Sequence, residues 1–312
     1  MGYRNQATIV RAVRSVLEQR APEPFEVVVV TSGGDSSAAA VTAAFPDVTV
    51  IESRERLLPG RARNMGLRVA SGEFVAFVAA DCEAQPGWAA GRLAAHRRGH
   101  PVVAAALTNA GPDRPWAWAS HFDLFCARLP GRPAGPVAYP DAAAHGLSFE
   151  RSAVDLIGPF DERVHIGEDT DAARRLAETG MEIYFEPVVQ TAHRGPEGTV
   201  ALLRDHRRRA RLAASHRADE LPAITRWDAV RECGPAWWRR MRRSVVVSWR
   251  YADGERRRLL VSLPWLAAAR VAAVAGWYRE RLRASRAWRA SSEHAPSHQE
   301  AAPSTITGND HQ

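Results

Sequence analysis

The sequence predicts an α/β fold with a mainly parallel central sheet, followed by a C-terminal extension of basic helices. From residue 6 to about residue 200, stretches with helical periodicity alternate with short apolar runs, as in consecutive βα units. Beyond residue 220 the composition changes, and seven of the ten tryptophans lie there among arginines. We therefore expect an α/β domain at 1–218, a helical extension at 219–289 and a disordered polar tail at 290–312.

The first elements of the α/β domain follow from periodicity and turn residues. The segment 6–19 is amphipathic, with Ile9 and Val13 on one helical side. The run 26–35 is rich in β-branched residues and stops in a glycine turn, which predicts a strand. The next elements are a strand at 47–51, a helix at 59–70 that Pro and Gly open, and a strand at 73–81.

The second half of the domain contains an irregular segment. Residues 109–141 are rich in Gly and Pro, which predicts an irregular, partly mobile insertion around a short helix at 116–129. The other expected elements are helices at 86–98, 152–157, 167–180 and 199–217, and strands at 101–107, 142–151, 181–187 and 188–193.

Positive charge is concentrated near the C-terminus. The net charge is +7, yet residues 1–201 carry 20 arginines against 24 acidic residues, and residues 202–289 carry 22 arginines against eight. The apolar run 259–278 has about the length that spans a bilayer, but it contains Pro264 and Arg270. We therefore expect an amphipathic helix that lies on an anionic membrane, peripheral on the inner face of the cell membrane.

Cysteine usage excludes two classes of protein. The three cysteines form no CxxC pair and leave one over, so neither a disulfide framework nor a zinc site is supported. The N-terminus lacks a positive patch followed by an uninterrupted apolar run, so we see no secretory signal. These features favour a cytoplasmic protein.

A single carboxylate, Asp81, follows the predicted third strand in the sequence FVAADC. Open α/β sheets bind ligands at the carboxyl ends of their strands, and a carboxylate suits a hard divalent ion that holds a diphosphate. Taken alone, such a residue is more often a turn former or a helix cap.

Three other segments carry polar groups of interest. Arg63 and Asn64, at a helix start, suit phosphate binding, although a solvated surface arginine is an equal alternative. Glu168 and Asp169 also open a helix, where stabilising its dipole is the default and a general base at Asp169 is the alternative. His193 follows a strand and is either a metal ligand or a structural residue.

In this order, the segments resemble the family 2 glycosyltransferases of the Rossmann-like GT-A fold, which use nucleotide-diphosphate sugars. The resemblance runs from Tyr3 to about Arg194. The segments that carry it are YRNQATIVRAVRSVLEQ, EVVVVTSGGDSS, GRARNMGLRVASGEFVAF, AADCEAQPGW, LIGPFDE with GEDTDAARRLAETG, and VVQTAHR.

The resemblance implies a metal-dependent transfer of a sugar to an acceptor hydroxyl. It implies that Asp81 binds Mg²⁺ or Mn²⁺, which would bridge it to the donor diphosphate. It also implies that Asp169 is the catalytic base of an inverting reaction, with Glu168 beside it. The further implied ligands are Gly60, Arg63 and Asn64 near the nucleotide, and His193 near the metal or the diphosphate.

The sequence departs from the family pattern at three places. Ala79 stands where the first Asp of the D-x-D motif is expected. Thr31 and Ser32 replace the carboxylates that usually meet the base, which leaves Asp35 as a displaced candidate. The chain also starts at the helix that follows the family's first strand, and a start codon assigned too late is the simplest explanation.

Three functional hypotheses follow. The first is a membrane-associated, inverting glycosyltransferase of the cell envelope, acting on a lipid-linked or saccharide acceptor. The second is a catalytically degenerate GT-A domain that serves as a nucleotide-binding or partner-binding scaffold. Nucleic-acid binding through the Arg/Trp segment ranks last, because no recognised module organises those residues.

Overall fold

The α/β domain alternates strands and helices much as its periodicity predicts. A computed structural model of the chain describes residues 2–3, 6–142, 146–217 and 222–293. The strands are β1 (Gly2–Tyr3), β2 (Val28–Ser32), β3 (Thr49–Ser53), β4 (Phe74–Ala76), β5 (Cys82–Ala84), β6 (Val102–Asn109), β7 (Gly135–Pro136), β8 (Leu147–Glu150) and β9 (Ile183–His193). The helices of this domain are α1 (Gln6–Leu17), α2 (Ser37–Ala44), α3 (Pro59–Val69), α4 (Trp88–Arg97), α5 (Pro115–Phe125), α6 (Tyr139–Ala142), α7 (Arg151–Ile157), α8 (Glu168–Glu178) and α9 (Thr199–His216), with a 3₁₀ turn at Cys126–Arg128.

The strands form two sheets, and the larger one is mixed. Strands β1, β2 and β3 make a parallel three-stranded sheet. The six-stranded sheet has the order β4-β8-β6-β9-β5, with β7 beside β9, and in it only β6 and β9 pair in parallel. The sheet is therefore less parallel than the βα alternation predicts, because β8 runs antiparallel between β4 and β6.

Two predicted strands differ from the observed ones in a way that matters for the site. The predicted strand 73–81 breaks after Ala76, and a turn closed by the Cys82 N–H and the Ala79 carbonyl (3.0 Å) leads into β5. Asp81 therefore lies in a turn between two short strands. The runs 181–187 and 188–193 form one strand, β9, whose pairing with β6 shifts register between Ala105 and Ala106.

A cavity separates the two sheets. The strand that the family pattern places before residue 6 is represented among the described residues by Gly2–Tyr3, which pairs with Thr31 and Ser32 of β2. The segments 27–29 of the smaller sheet and 74–76 of the larger one line an apolar cavity of about 320 Å³. The two sheets are thus separate over the length of this cavity.

The main core lies under the larger sheet. Strand β6 is fully buried from Val102 to Leu107, and its three consecutive alanines leave room for close packing of the helices. Phe149, Leu176 and Phe185 complete this core, each of them fully or almost fully buried. The sheet edge that carries β5 and the end of β9 is held by this packing.

The segment 109–141 is more regular than its composition predicts. Residues 115–125 form helix α5, and Ala119, Phe122 and Phe125 on it are buried. The short helix predicted at 116–129 is therefore confirmed as α5 and the 3₁₀ turn that follows it. The alternation of large and small apolar residues in WAWASHFDLF allows the helix to be covered on several sides.

The C-terminal extension covers α5. It consists of α10 (Arg226–Tyr251) and α11 (Arg256–Glu293). Helix α11 packs along α9 and α5, with Leu259, Leu266 and Ala269 buried in those contacts. The boundary predicted at 218/219 lies outside the described residues, so the division into domains stays a prediction. Residues 290–293 belong to α11, and the rest of the predicted disordered tail also lies outside the described residues.

A buried polar network joins the extension to the α/β domain. The Asp123 carboxylate of α5 contacts His206 Nδ1 of α9 at 3.1 Å and pairs with the Arg270 guanidinium of α11. Ser244 of α10 donates to Asp123 Oδ1 at 3.2 Å and accepts from Arg270 at 2.8 Å. One carboxylate thus contacts three different helices, and a buried charge with this many partners fixes how the helices dock.

Candidate active site

Asp81 and His193 meet at one edge of the larger sheet. Strand β5 pairs antiparallel with β9, so Cys82 lies opposite His193 and brings Asp81 beside the imidazole. Asp81 Oδ2 lies 3.7 Å from His193 Nε2. The Asp81 side chain is 42% exposed and that of His193 only 5%, so the pair opens to solvent through the carboxylate.

This pair fits a divalent ion that substrate completes. Two ligand atoms bound to one Mg²⁺ or Mn²⁺ at about 2.0–2.2 Å lie roughly 3–4 Å apart, which the Asp81–His193 separation matches. Within the described part of the chain, no group of three or more His, Cys, Asp or Glu side chains is placed to hold a metal. The remaining ligands would therefore come from water and substrate phosphates, as is usual for Mg²⁺.

The other residues expected near the nucleotide include Asp35 and the pair Thr31 and Ser32. Asp35 accepts hydrogen bonds from the Ser37 N–H (3.1 Å) and the Ser37 hydroxyl (2.8 Å), so its carboxylate satisfies the first N–H of α2. Thr31 and Ser32 are buried at the end of β2 and bring no charge. The nucleotide role of Asp35 stays a prediction, and the carboxylate that Ala79 lacks is not replaced by these residues.

Arg63 lies in the interior, against Glu168. Both residues are almost completely buried, at 7% and 5% exposure, and their charged groups form a salt bridge. The Arg63 guanidinium also lies over the rings of Phe77 (5.5 Å) and Phe160 (5.3 Å). Burial lowers the pKa of Arg63. Because a buried cation needs a partner, the structure gives Arg63 a role in holding Glu168, and nucleotide contact stays a prediction.

Asn64 fixes the loop that precedes α8. Its amide donates to the Phe160 carbonyl and to Glu162 Oε1, both at 2.9 Å, and its oxygen accepts from the Phe160 N–H at 2.9 Å. The helix that follows the loop carries Glu168 and Asp169. Asn64 therefore positions the start of α8, and any contact with nucleotide stays a prediction.

Gly60 allows α3 to approach the same loop. A Cβ at this position would lie 2.1 Å from the Asp161 carbonyl oxygen, which no side chain tolerates. We therefore expect Gly60→Ala to lower the free energy of unfolding by about 1–3 kcal/mol, measured by chemical denaturation. Gly234→Ala is the matched control, because nothing lies within 4 Å of a Cβ there and alanine favours a helix by about 1 kcal/mol. A Gly60→Ala protein as stable as wild type would contradict this packing.

Glu168 and Asp169 differ in environment although they are adjacent. They are the first two residues of α8, whose N-cap Gly167 has a φ of 98°. Successive helical residues point about 100° apart, so Glu168 is buried against Arg63 while Asp169 is partly exposed. Asp169 Oδ1 accepts from the Thr170 N–H at 2.8 Å. The exposed member of the pair is thus available to a substrate, and the buried member is not.

Sequence reasoning missed Phe125 and Arg128, which lie between the Asp81–His193 pair and the start of α8. The Phe125 ring packs against the His193 ring at 5.0 Å. Arg128 is 1% exposed, donates to the Ala105 carbonyl at 2.5 Å, and lies close enough to Asp169 for their charges to interact. Burial lowers the pKa of Arg128 to about 9, so it stays charged at neutral pH. The available signal was a lone arginine in an apolar run.

The architecture described above is that of the GT-A fold. Residues 3–157 match the profile of a family described as Glycosyl transferase family 2. Residues 3–157 are therefore assigned to that family. The predicted family and fold are therefore confirmed.

The similar proteins cover the chain to different extents. A pre-mycofactocin glycosyltransferase of Mycobacterium tuberculosis is 32% identical over 158 residues, which are 47% of this chain and 32% of that protein. A probable N-acetylgalactosaminyltransferase 6 of Caenorhabditis elegans is 24% identical over 222 residues, 61% of this chain and 36% of that protein. The matches thus span about a third of the length of these curated relatives.

A solved structure supports the fold over most of the chain. A mannosyltransferase from Pyrobaculum calidifontis, in complex with GDP-Man and Mn²⁺, superposes with a TM-score of 0.55 at 18% sequence identity. The superposition covers 89% of this chain and 85% of that one. It therefore extends the common architecture beyond residue 157, into the C-terminal helices.

Proposed function

We propose that the protein is a glycosyltransferase that moves a sugar from a nucleotide-diphosphate donor to an acceptor hydroxyl, with inversion at the anomeric carbon. The observation that carries the proposal is the meeting of Asp81 and His193 at an open sheet edge, in a chain of family 2. The partly exposed Asp169 at the start of α8 supports it. Buried side chains nearby hold both the Asp81–His193 pair and Asp169 in position.

The proposed reaction uses two groups of residues, one at the donor diphosphate and one at the acceptor hydroxyl. When bound, Mg²⁺ or Mn²⁺ would supply charge neutralisation at the donor diphosphate, and Asp81 with His193 would hold it. Asp169 would accept the proton of the acceptor hydroxyl as that oxygen attacks the anomeric carbon, while the bond from that carbon to the diphosphate breaks and the nucleoside diphosphate leaves. The Arg63–Glu168 pair would keep the first turn of α8 in place during this transfer.

The experiment is a panel of UDP-, GDP- and dTDP-sugars incubated with the full chain and Mn²⁺. The GDP-Man in the Pyrobaculum structure and the name of the M. tuberculosis relative suggest adding GDP-mannose and pre-mycofactocin to the panel. We expect metal-dependent hydrolysis or transfer with one donor class, and its loss in Asp81→Asn. Glu83→Gln, a partly exposed acid two residues away, is the charge-matched control. No turnover of any donor by the folded protein would contradict the proposal.

We further propose a peripheral position on an anionic membrane, consistent with an acceptor from the cell envelope. Among the described residues, one helix, within Arg256–Ala287, is long and apolar enough to cross a membrane by length and composition. Its Arg270 is nevertheless engaged by Asp123, and its inner side packs on α5 and α9. An in-plane position of the outer side agrees better with these contacts.

The outward surface of the extension supports this position. On α10, Trp238, Val246 and Trp249 are exposed, between 44% and 60%, and arginines are interleaved with them. On α11, Leu260 and Val271 are exposed at 52% and 58%. Exposed aromatic, aliphatic and cationic side chains on these two helices suit the boundary of an anionic bilayer.

Flotation with liposomes tests the membrane proposal. We expect the protein to float with vesicles that contain phosphatidylglycerol and to stay behind with purely zwitterionic ones. The double variant Trp238→Ser/Trp249→Ser should bind the anionic vesicles weakly, because each removes an aromatic anchor. Leu156→Ser on α7, equally exposed but in the α/β domain, is the control. Unchanged flotation of the double variant would contradict the assignment of this surface.

A specific observation keeps the second candidate function open. Asp81 is the sole carboxylate of its turn, since Ala79 replaces the other, and Thr31 and Ser32 are uncharged. A nucleotide-binding or partner-binding scaffold would need no base. The variant Asp169→Asn separates the two functions, because a scaffold keeps its nucleotide binding and its cellular role, whereas an enzyme keeps the binding and loses its role.

A further inference from the structure

Helix α1 contacts both sheets. Val13 is buried in a cluster with Val29 of the smaller sheet. Val16, one turn further along, packs in a second cluster with Ala84 of β5, a strand of the larger sheet. Helix α1 therefore connects the smaller sheet to the strand that follows Asp81.

Strand β5 has one open edge. It has three residues and, among the described strands, pairs only with β9. The Arg194 N–H donates to the Asp81 carbonyl at 2.9 Å. The Gln85 N–H donates to the Gln190 carbonyl at 3.0 Å, so the backbone groups of Asp81 and Gln85 face β9. Because the direction of these groups alternates along a strand, the N–H and C=O of Ala84 face away from β9 and need partners outside the sheet.

Two side chains of α1 supply those partners. Ser15 Oγ accepts from the Ala84 N–H at 2.9 Å and donates to the Ala12 carbonyl at 2.7 Å. Gln19 Nε2 donates to the Ser15 carbonyl at 2.9 Å and to the Ala84 carbonyl at 3.4 Å. Gln19 Oε1 accepts from the Ala89 N–H of α4 at 3.4 Å. The two side chains thus satisfy the outer edge of β5 at Ala84.

The apolar side of α1 holds the turn before β5. Ala80, which is 3% exposed, packs in the same buried cluster as Ile9 and Val13. Asp81 therefore lies between two points that α1 holds, Ala80 by apolar packing and Ala84 by hydrogen bonds. The position of the Asp81 carboxylate depends on both.

We propose that Ser15 and Gln19 are positioning residues for the candidate metal site, because they hold β5 and so keep the Asp81 carboxylate beside His193. The 3.7 Å separation of Asp81 Oδ2 and His193 Nε2 depends on how β5 lies against β9. A site with few protein ligands is sensitive to a shift of about 1 Å in one of them. The proposal rests on the proposed function, and it gives a role to the polar residues of the segment SVLEQ.

Amide hydrogen exchange, measured by NMR on the full chain without metal, tests the positioning directly. Ser15→Ala favours the helix by propensity, so α1 should remain folded. The variant should speed exchange of the Ala84 amide and, through the turn, of the Arg194 amide by about threefold to tenfold, the usual effect of one hydrogen bond. The amide of Ala104 in the buried strand β6 should not change, because it reports global unfolding.

Two further variants control this measurement. Ser15→Thr keeps the hydroxyl and should exchange like wild type at both amides. Ser215→Ala removes a hydroxyl that is hydrogen-bonded within α9 and should change neither amide. Faster exchange at Ala84 alone, with the Arg194 amide unchanged, would overturn the proposal, because the effect would not reach the Asp81 turn.

Binding of Mn²⁺ alone, followed by the electron paramagnetic resonance signal of the free ion, tests the consequence for the site. Ser15→Ala and Gln19→Leu should each weaken Mn²⁺ binding by about tenfold, while Ser15→Thr should bind as wild type does. Wild-type affinity in both Ser15→Ala and Gln19→Leu would overturn the proposal. A wild type that binds no Mn²⁺ would instead contradict the proposed function, and amide exchange would still decide whether α1 holds the Asp81 turn.

Discussion

Replacing Asp169 by Asn is expected to lower kcat/KM for sugar transfer by about 10²- to 10⁴-fold, the usual contribution of a general base. The amide keeps the size of the side chain but cannot accept the proton of the acceptor hydroxyl. The fold should remain intact, because Asp169 is partly exposed and its contact with the Thr170 N–H can be kept by the amide oxygen. Initial rates and far-UV circular dichroism together measure the two effects.

The control for this variant is Asp155→Asn, which removes the same charge from an exposed position on α7. It should leave the rate unchanged. If Asp169→Asn transferred sugar at the wild-type rate, Asp169 would not be the base. Loss of rate together with loss of the circular dichroism signal would instead indicate a structural role at the start of α8.

Breaking the buried pair between Arg63 and Glu168 is expected to give the largest loss of stability. Arg63→Met leaves the Glu168 carboxylate buried without its cation, which should lower the free energy of unfolding by about 3–5 kcal/mol. The double variant Arg63→Met/Glu168→Leu removes both charges and should recover a large part of that loss, since two apolar side chains of similar volume replace the pair. Urea denaturation of wild type, Arg63→Met, Glu168→Leu and the double variant gives the coupling energy.

An exposed pair serves as the comparison. Arg97 and Glu73 contact at 3.0 Å with side chains 47% and 59% exposed. The variant Arg97→Met should therefore cost only about 0–1 kcal/mol. Strictly additive losses in the Arg63 and Glu168 series would mean that the two residues contribute independently. Such a result would remove the argument that Arg63 holds the first turn of α8.

Much of the fold could be predicted because it depends on local pattern. The periodic segments 6–19 and 167–180 and the β-branched runs gave helices and strands near their predicted bounds. The family resemblance implied that Asp81 and His193 lie near one metal, and the structure brings them together because the start of β5, which follows Asp81, pairs antiparallel with the end of β9, where His193 lies. Hydrophobic burial and periodicity were therefore sufficient to predict the helices and strands that position the site.

The roles of Arg63 and Asn64 could not be obtained in this way. Both lie at a helix start, where phosphate binding and structural contacts have the same local sequence. Their partners, Glu168 and Phe160, are about 100 residues away and are brought near by tertiary packing. A phosphate-binding role and a structural role differ only in which group the side chain contacts in the folded protein.

The C-terminal extension shows a related limit. Its apolar face predicted contact with a membrane, but a face that packs on protein has the same periodicity. Here Leu259 and Leu266 are buried against α5 and α9, while Leu260 and Val271 point outward. One helix thus has two apolar sides, and sequence alone did not assign them.

The most direct test of the account is calorimetric binding of a sugar nucleotide to the full chain, with and without Mn²⁺. The central claim is that one carboxylate, Asp81, together with His193, holds a divalent ion that substrate phosphates complete. Wild type should bind the sugar nucleotide only with Mn²⁺, and Asp81→Asn should lose this binding. Sugar-nucleotide binding by Asp81→Asn with wild-type affinity and the same dependence on Mn²⁺ would contradict it.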